Sequence, residues 1–266
     1  MSREAAVRLA GVSKQFETDA GPFTAVTGVD LDVAPGEFVA VVGPSGCGKS
    51  TLLGMVSGLS PATGGTVEVA GRPVTGIPSG LGYLFQRDAL LPWKTVLDNV
   101  SLPLVFRRVP RGEARERARG WLSRVGLARF AAYHPHALSG GMRKRVSLAA
   151  TMVADPDIVL MDEPFSALDV QTRNLMENEL LAIWQESRKT VLFITHDLEE
   201  AIALSDRVVV MTASPGRIKA EYPIPLPRPR SVTEIRFRPE FVRLYETIWG
   251  DLRDEVLASY AQAQRG

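Results

Sequence analysis

The chain has 266 residues, 45% of them hydrophobic and 23% charged, ordinary proportions for a globular protein with enough chain to bury a large core. Lysine plus arginine total 31 against 30 acids, a formal net charge of +1, which argues against a polybasic nucleic-acid binder. One cysteine, Cys47, excludes an internal disulfide and a cysteine-rich zinc site; no apolar run approaches the roughly 18–20 residues that span a bilayer, and MSREAAVRLAG lacks the apolar stretch of a secretory signal.

Residues 1–42 read as strands and turns, with strand segments at Val7–Leu9 and Val29–Val33 and a turn at Ala34-Pro35-Gly36. The run 37–42 (EFVAVV) is apolar and β-branched, as in a strand buried on both faces of a parallel sheet. It feeds into Gly43-Pro44-Ser45-Gly46-Cys47-Gly48-Lys49-Ser50-Thr51 and then a helical stretch through Val56. Further buried strands are expected at 157–162, 190–195 and 207–211, separated by helical patterns over 167–186 and 198–204. Alternation of strand and helix predicts an α/β fold with a mostly parallel sheet.

Residues 87–155 lose the strand pattern and predict a helical insertion. Seven arginines and two glutamates occupy 107–124; acids among the arginines favour a solvated helix face over a nucleic-acid patch. A helix is expected over 143–153. Residues 223–230 hold four prolines and predict an extended linker. Beyond it Phe241, Leu244, Ile248, Leu252 and Val256 recur at helical spacing over 239–257, either packed on the domain or docking a partner.

The segment Gly43-x4-Gly48-Lys49-Ser50 matches a Walker A phosphate loop. Glycines let successive backbone N–H groups point at phosphate oxygens, and the following helix adds its positive end. Lys49 is expected at the β- and γ-phosphates, Ser50 on Mg²⁺ and Thr51 at the α-phosphate. Pro44, Ser45, Gly46 and Cys47 complete the loop, with no redox role for Cys47. Asp162, at the end of an apolar strand, fits a Walker B carboxylate near Mg²⁺. Glu163 follows it and is placed to polarise an attacking water.

Leu138-Ser139-Gly140-Gly141-Met142 resembles the LSGGQ signature of the ATP-binding cassette (ABC) ATPases. Gln86 resembles the family's Q-loop glutamine, Ser166-Ala167-Leu168-Asp169 the D-loop, His196 the switch histidine and Phe16 the aromatic that stacks on adenine. These elements fall in the family's order over residues 7 to about 220.

The resemblance implies a P-loop NTPase core of the RecA-like, ABC type with a helical subdomain at about 87–155. It divides the chain into a cassette over 1–222 and a linker with a C-terminal helix over 223–266. It also implies ATP and Mg²⁺ as ligands, with Ser50, Gln86 and Asp162 at the metal. Glu163, His196 and Lys49 would be catalytic. Two chains would pair head to tail, so that Ser139, Gly140, Gly141, Met142 and Asp169 act on the partner's ATP.

Met142 replaces the consensus Gln, and Ala150 stands where many relatives have Arg. His134 and His136 read as structural.

Residues Leu90–Val100, the Gly-Gly-Met-Arg of the signature and the Pro-Arg tail resemble the nitrate/sulfonate/taurine importer ATPases. That subgroup implies a peripheral protein on the cytoplasmic face of the inner membrane. Its partners would be separate transmembrane permease subunits and, indirectly, a solute-binding protein, with no nucleic acid. Trp93 either lines the permease groove or is a buried anchor. The rival reading is an ABC-type ATPase acting on nucleic acid, or as a regulator, without a membrane partner. A P-loop kinase would leave the signature and His196 unexplained.

Overall fold

The computed structural model describes residues 5–19 and 21–264. In chain order the strands are β1 (Val7–Thr18), β2 (Gly21–Val33), β3 (Phe38–Val42), β4 (Gly64–Val69), β5 (Arg72–Pro73), β6 (Leu81–Leu84), β7 (Ile158–Asp162), β8 (Thr190–Ile194), β9 (Arg207–Met211) and β10 (Ile218–Pro223). The helices are α1 (Lys49–Val56), α2 (Val96–Phe106), α3 (Arg111–Arg124), α4 (Gly140–Met152), α5 (Val170–Ser187), α6 (Leu198–Leu204), α7 (Val232–Ile235) and α8 (Pro239–Ala263).

Six strands form one sheet in the order β10-β9-β3-β8-β7-β6. All its pairings are parallel except β10 with β9, as the expected α/β class requires. The apolar run of β3 is central, and all five residues are buried. Side chains alternate across a strand, so Phe38, Ala40 and Val42 join a core with α5, α6 and α8. Val39 and Val41 face the other way, against α1 and a second sheet.

That second sheet is antiparallel, in the order β2-β1-β4-β5. Its first two strands, of 12 and 13 residues, run well beyond the segments expected at 7–9 and 29–33. Their pairing shifts register three times between Leu9 and Gln15, and such irregularities hide a period-two pattern from a reader of the sequence. Helices α2, α3 and α4 enclose a third core around Val100, Leu122 and Val146. This is the expected helical insertion.

Two helices start elsewhere than expected because of their caps. Helix α4 begins at Gly140, with the Ser139 hydroxyl accepting from Met142 N at 3.3 Å, so the signature is itself the helix start. Helix α5 begins at Val170, not 167, because the Asp169 carboxylate accepts from Thr172 N at 3.0 Å.

The proline-rich segment is extended, as expected, but it is strapped to the core rather than free. Pro223, Pro225, Pro227 and Pro229 face solvent, while Ile224, Leu226 and Arg230 are buried. The Arg228 guanidinium lies 4.1 Å from the Trp184 ring and binds Asp206 Oδ1 at 2.7 Å. Arg230 donates to five carbonyls, those of Ile202, Ala203, Ser205, Ile224 and Leu226. Burial pulls its pKa down to about 10, so it stays charged at neutral pH. Beyond it, α8 packs Phe241, Ile248 and Leu252 into the same core as Phe38. Among the described residues no helix is long and apolar enough to cross a membrane.

Candidate functional site

The phosphate loop connects β3 to α1. Gly46 and Gly48 carry φ of 77° and 97°, values that side chains with a Cβ resist. A Cβ on Gly48 would also stand 2.5 Å from Val26 Cγ2 and 2.9 Å from the Ala25 carbonyl oxygen. Lys49 is 6% exposed, and its Nζ donates to the carbonyls of Gly43 at 2.8 Å and Pro44 at 3.0 Å. The ammonium therefore sits across the mouth of its own loop. Cys47 is buried, and burial pushes its thiol pKa up, so the thiolate is disfavoured.

Strand β7 ends beside this loop. The Ser50 hydroxyl donates to Asp162 Oδ1 at 2.9 Å, which joins the two expected metal ligands directly. Burial raises Asp162 above the usual carboxylate range, partly offset by the Ser50 hydrogen bond. Glu163 takes a left-handed φ of 41°, a conformation rare outside glycine. Its N–H donates to the Ile194 carbonyl at 2.9 Å, which fixes it to β8. Glu163 Oε2 lies 3.0 Å from His196 Nδ1 and accepts from Gln86 Nε2 at 3.3 Å. The histidine holds Glu163 below its usual range, and the same bond raises His196. At neutral pH the pair is charge-assisted, and Glu163 is ionised.

Thus Ser50, Asp162, Glu163, Gln86 and His196 gather at the ends of β6, β7 and β8, next to the start of α1. The signature does not join them. Among the described residues no hydrogen bond links 139–142 with 43–51. Ser139 and Gly140 are exposed, and a Cβ on Gly141 would meet Thr172 Cγ2 at 2.6 Å. That contact sets the signature beside the start of α5, where Asp169 is also exposed.

Phe16 is exposed on β1 opposite Phe23, and Lys14 Nζ lies 5.0 Å from its ring. The β1–β2 ribbon reaches the phosphate loop through Ala25 and Val26. His134 and His136 stack at 5.8 Å away from these groups.

Some residues around the site carry no sequence signature. Lys144 on α4 is 3% exposed and donates to the carbonyls of Phe85 at 3.2 Å and Gln86 at 2.9 Å. It also pairs with Asp88 at 3.4 Å, and Arg143 binds the same carboxylate at 3.1 Å. The helix after the signature thereby grips the segment after β6. Beside that grip lies a groove of about 250 Å³ lined by Phe85, Arg87, Leu90, Pro103 and Ala150. Trp93 is 72% exposed, so the buried-anchor alternative does not hold.

The ABC transporter family model matches residues 26–166. The uncharacterized ABC transporter ATP-binding protein MJ0412 of Methanocaldococcus jannaschii is 47% identical over 253 residues, 95% of this chain and 93% of the relative. The taurine import ATP-binding protein TauB of Rhizobium johnstonii is 45% identical over 83% of this chain and 86% of its own. The bicarbonate transport ATP-binding protein CmpD of Synechococcus elongatus is 44% identical over 88% and 85%. Among solved structures, a dimer of the ATP-binding cassette MJ0796 in a post-hydrolysis state with ADP and Pi matches at a TM-score of 0.74 and 32% identity. It covers 82% of this chain and 98% of that one. The phosphate loop, the acidic end of β7 and these relatives agree: the chain belongs to the ABC transporter family, as an ATP-hydrolysing cassette.

Proposed function

We propose that this cassette is the ATP-hydrolysing subunit of an importer for a small solute of the nitrate, sulfonate or taurine kind. It works as a head-to-tail pair on the cytoplasmic face of the inner membrane, beneath separate permease subunits served by a solute-binding protein. The observation that carries the hydrolytic part of the reading is the Glu163–His196–Gln86 cluster at the mouth of the phosphate loop. The TauB and CmpD relatives support the importer class.

In this reading Lys49 leaves the carbonyls of Gly43 and Pro44 to hold the β- and γ-phosphates. The backbone N–H groups of 44–49, the Ser45 hydroxyl and Thr51 hold the phosphate chain, and Phe16 stacks on adenine. Ser50, Asp162 and Gln86 would hold Mg²⁺. Their hard oxygens suit that ion, which takes few protein ligands and completes its shell with phosphate and water. Bound there it would neutralise phosphate charge.

Glu163, ionised at neutral pH, accepts a proton from the attacking water. His196 keeps that carboxylate in place and donates toward the γ-phosphate. Ser139, Gly140, Gly141 and Met142 sit at a helix start, where N–H groups suit an anion. They and Asp169 close on the partner's ATP.

The groove beside Leu90 and Ala150, with Trp93 exposed nearby, takes the permease's cytoplasmic helix. The arginines of 107–124 do not favour a nucleic-acid reading. Arg107 binds the Ala154 carbonyl at 2.6 Å, Arg115 pairs with Asp98 at 3.5 Å, and Arg124 pairs with Glu186.

The test is solute uptake in a host lacking this gene. Wild-type chain restores uptake and Glu163→Gln does not. Uptake that never depended on the gene, together with ATP turnover stimulated by DNA or RNA, would overturn the importer reading.

A further inference from the structure

Two short turns flank the Glu163–His196 pair. The first runs from Glu163 to Asp169. Ser166 donates to the Glu163 carbonyl from both its N–H at 3.3 Å and its hydroxyl at 3.0 Å. The second turn spans Thr195–Asp197. Asp197 N donates to Thr195 Oγ1 at 3.0 Å, and Thr195 donates to the buried carboxylate of Glu200. Asp197 Oδ1 accepts from Glu199 N at 2.9 Å and Glu200 N at 3.2 Å, which caps α6.

Arg173, in the first turns of α5, touches both. Its Nη1 donates to Asp197 Oδ2 at 3.1 Å, and its Nη2 donates to the Leu168 carbonyl at 3.3 Å. Hydrogen bonds joined by short stretches of chain thus close a circuit, from Glu163 through Ser166 and on to Leu168, then through Arg173 to Asp197 and His196, and back to Glu163.

We propose that Arg173 is a positioning residue for hydrolysis: it fixes the spacing of the two turns, so that His196 stays within hydrogen-bond reach of Glu163. The inference rests on the reading that Glu163 and His196 act in hydrolysis. A guanidinium suits this task because its donors form a rigid planar fork, here spread over acceptors on two separate segments. A lysine head is a single point and cannot hold that spacing.

Of the two side chains, His196 has little else to locate it. The His196 side chain is 52% exposed, so packing constrains its ring weakly, and its backbone neighbour Asp197 is the group Arg173 holds. Glu163 sits in a left-handed conformation that costs on its own and persists because Ile194 and Ser166 hold its backbone from both sides.

The test uses the full chain and steady-state ATP turnover. Nucleotide affinity and thermal unfolding are measured on the same samples, so that rates refer to folded protein. His196→Ala calibrates the site. Full turnover in that variant overturns the reading of the site itself, whatever Arg173 does.

With His196→Ala impaired, Arg173→Ala is expected to lower kcat about tenfold with KM and ATP affinity within about twofold, a split that a merely structural role would not give. Arg173→Lys is expected between the two, because one acceptor is kept. Asp197→Asn is expected to match Arg173→Ala, and the double variant to be no slower than either single one. Unchanged kcat in folded Arg173→Ala, or losses that multiply in the double variant, would overturn the proposal. Should Arg173→Ala not fold, Asp197→Asn carries the same test: a tenfold kcat loss at constant KM supports the proposal, and wild-type kcat overturns it.

Discussion

Glu163 Oε2 and His196 Nδ1 face each other at 3.0 Å, one at the end of β7 and the other at the end of β8. Neighbouring parallel strands bring them together, although 33 residues separate them in sequence. The bond lowers the Glu163 pKa and raises that of His196.

The pair has a pH signature. A raised His196 is protonated over a wider range than free imidazole, whose pKa is about 6.5. Its part in stability is full below that value and is lost as pH rises through the higher folded pKa. The part from Glu163, whose pKa is lowered, is lost as pH falls through its folded value. Imidazole titration by NMR should place His196 above the ordinary value in the wild type, and Glu163→Gln should move it back down. An unmoved titration would break the coupling.

Beneath His196, burial raises Glu200 to about 8 and Glu177 to about 7. Both take up protons on folding, so between about pH 4.5 and 8 they make stability fall as pH rises. Glu200→Gln keeps an acceptor for Thr195 and removes this titration. Unfolding temperatures measured from pH 6 to 8.5 should decline less steeply in the variant than in the wild type.

The strap of prolines owes its place to Arg230. Removing the guanidinium leaves five carbonyls without that donor, and buried polar groups without partners are costly. Arg230→Ala should destabilise the chain by about 3 kcal/mol in denaturant unfolding. Lys144→Met, which strips the Phe85 and Gln86 carbonyls of their donor, should cost about 2 kcal/mol by the same measure.

The chemistry was far more legible than its supports. Residues 43–51, Asp162, Glu163, Gln86 and His196 could be picked out because the proposed phosphate binding calls for specific atoms at specific spacings. Lys144, Arg173 and Arg230 each make a contact over 24 to 59 residues of sequence, and nothing local marks such an arginine or lysine as a bridge to a distant segment. The strap did carry a signal: prolines alternate with Ile224, Leu226, Arg228 and Arg230, a period-two pattern of outward and inward residues. Proline content alone suggests a tether and hides that alternation. The long β1–β2 ribbon was obscured by its register shifts.

A head-to-tail pair predicts complementation between two dead chains. Lys49→Ala inactivates a phosphate loop, and Gly140→Asp places an anion where the partner's γ-phosphate would lie. Mixed, the two variants rebuild one intact composite site per heterodimer, and turnover should reach roughly a quarter of wild type if assembly is random. A mixture as inactive as its parts would favour sites closed within one chain.

The proposed hydrolysis depends on Glu163 activating the water that cleaves ATP. The direct measurement is ATP turnover by Glu163→Gln beside wild type, with Mg²⁺ and saturating ATP, and with bound nucleotide and dimer content read on the same samples. The expected loss is roughly 10²–10⁴-fold, with ATP still bound and ATP-loaded dimers accumulating. Turnover within a few-fold of wild type would contradict it.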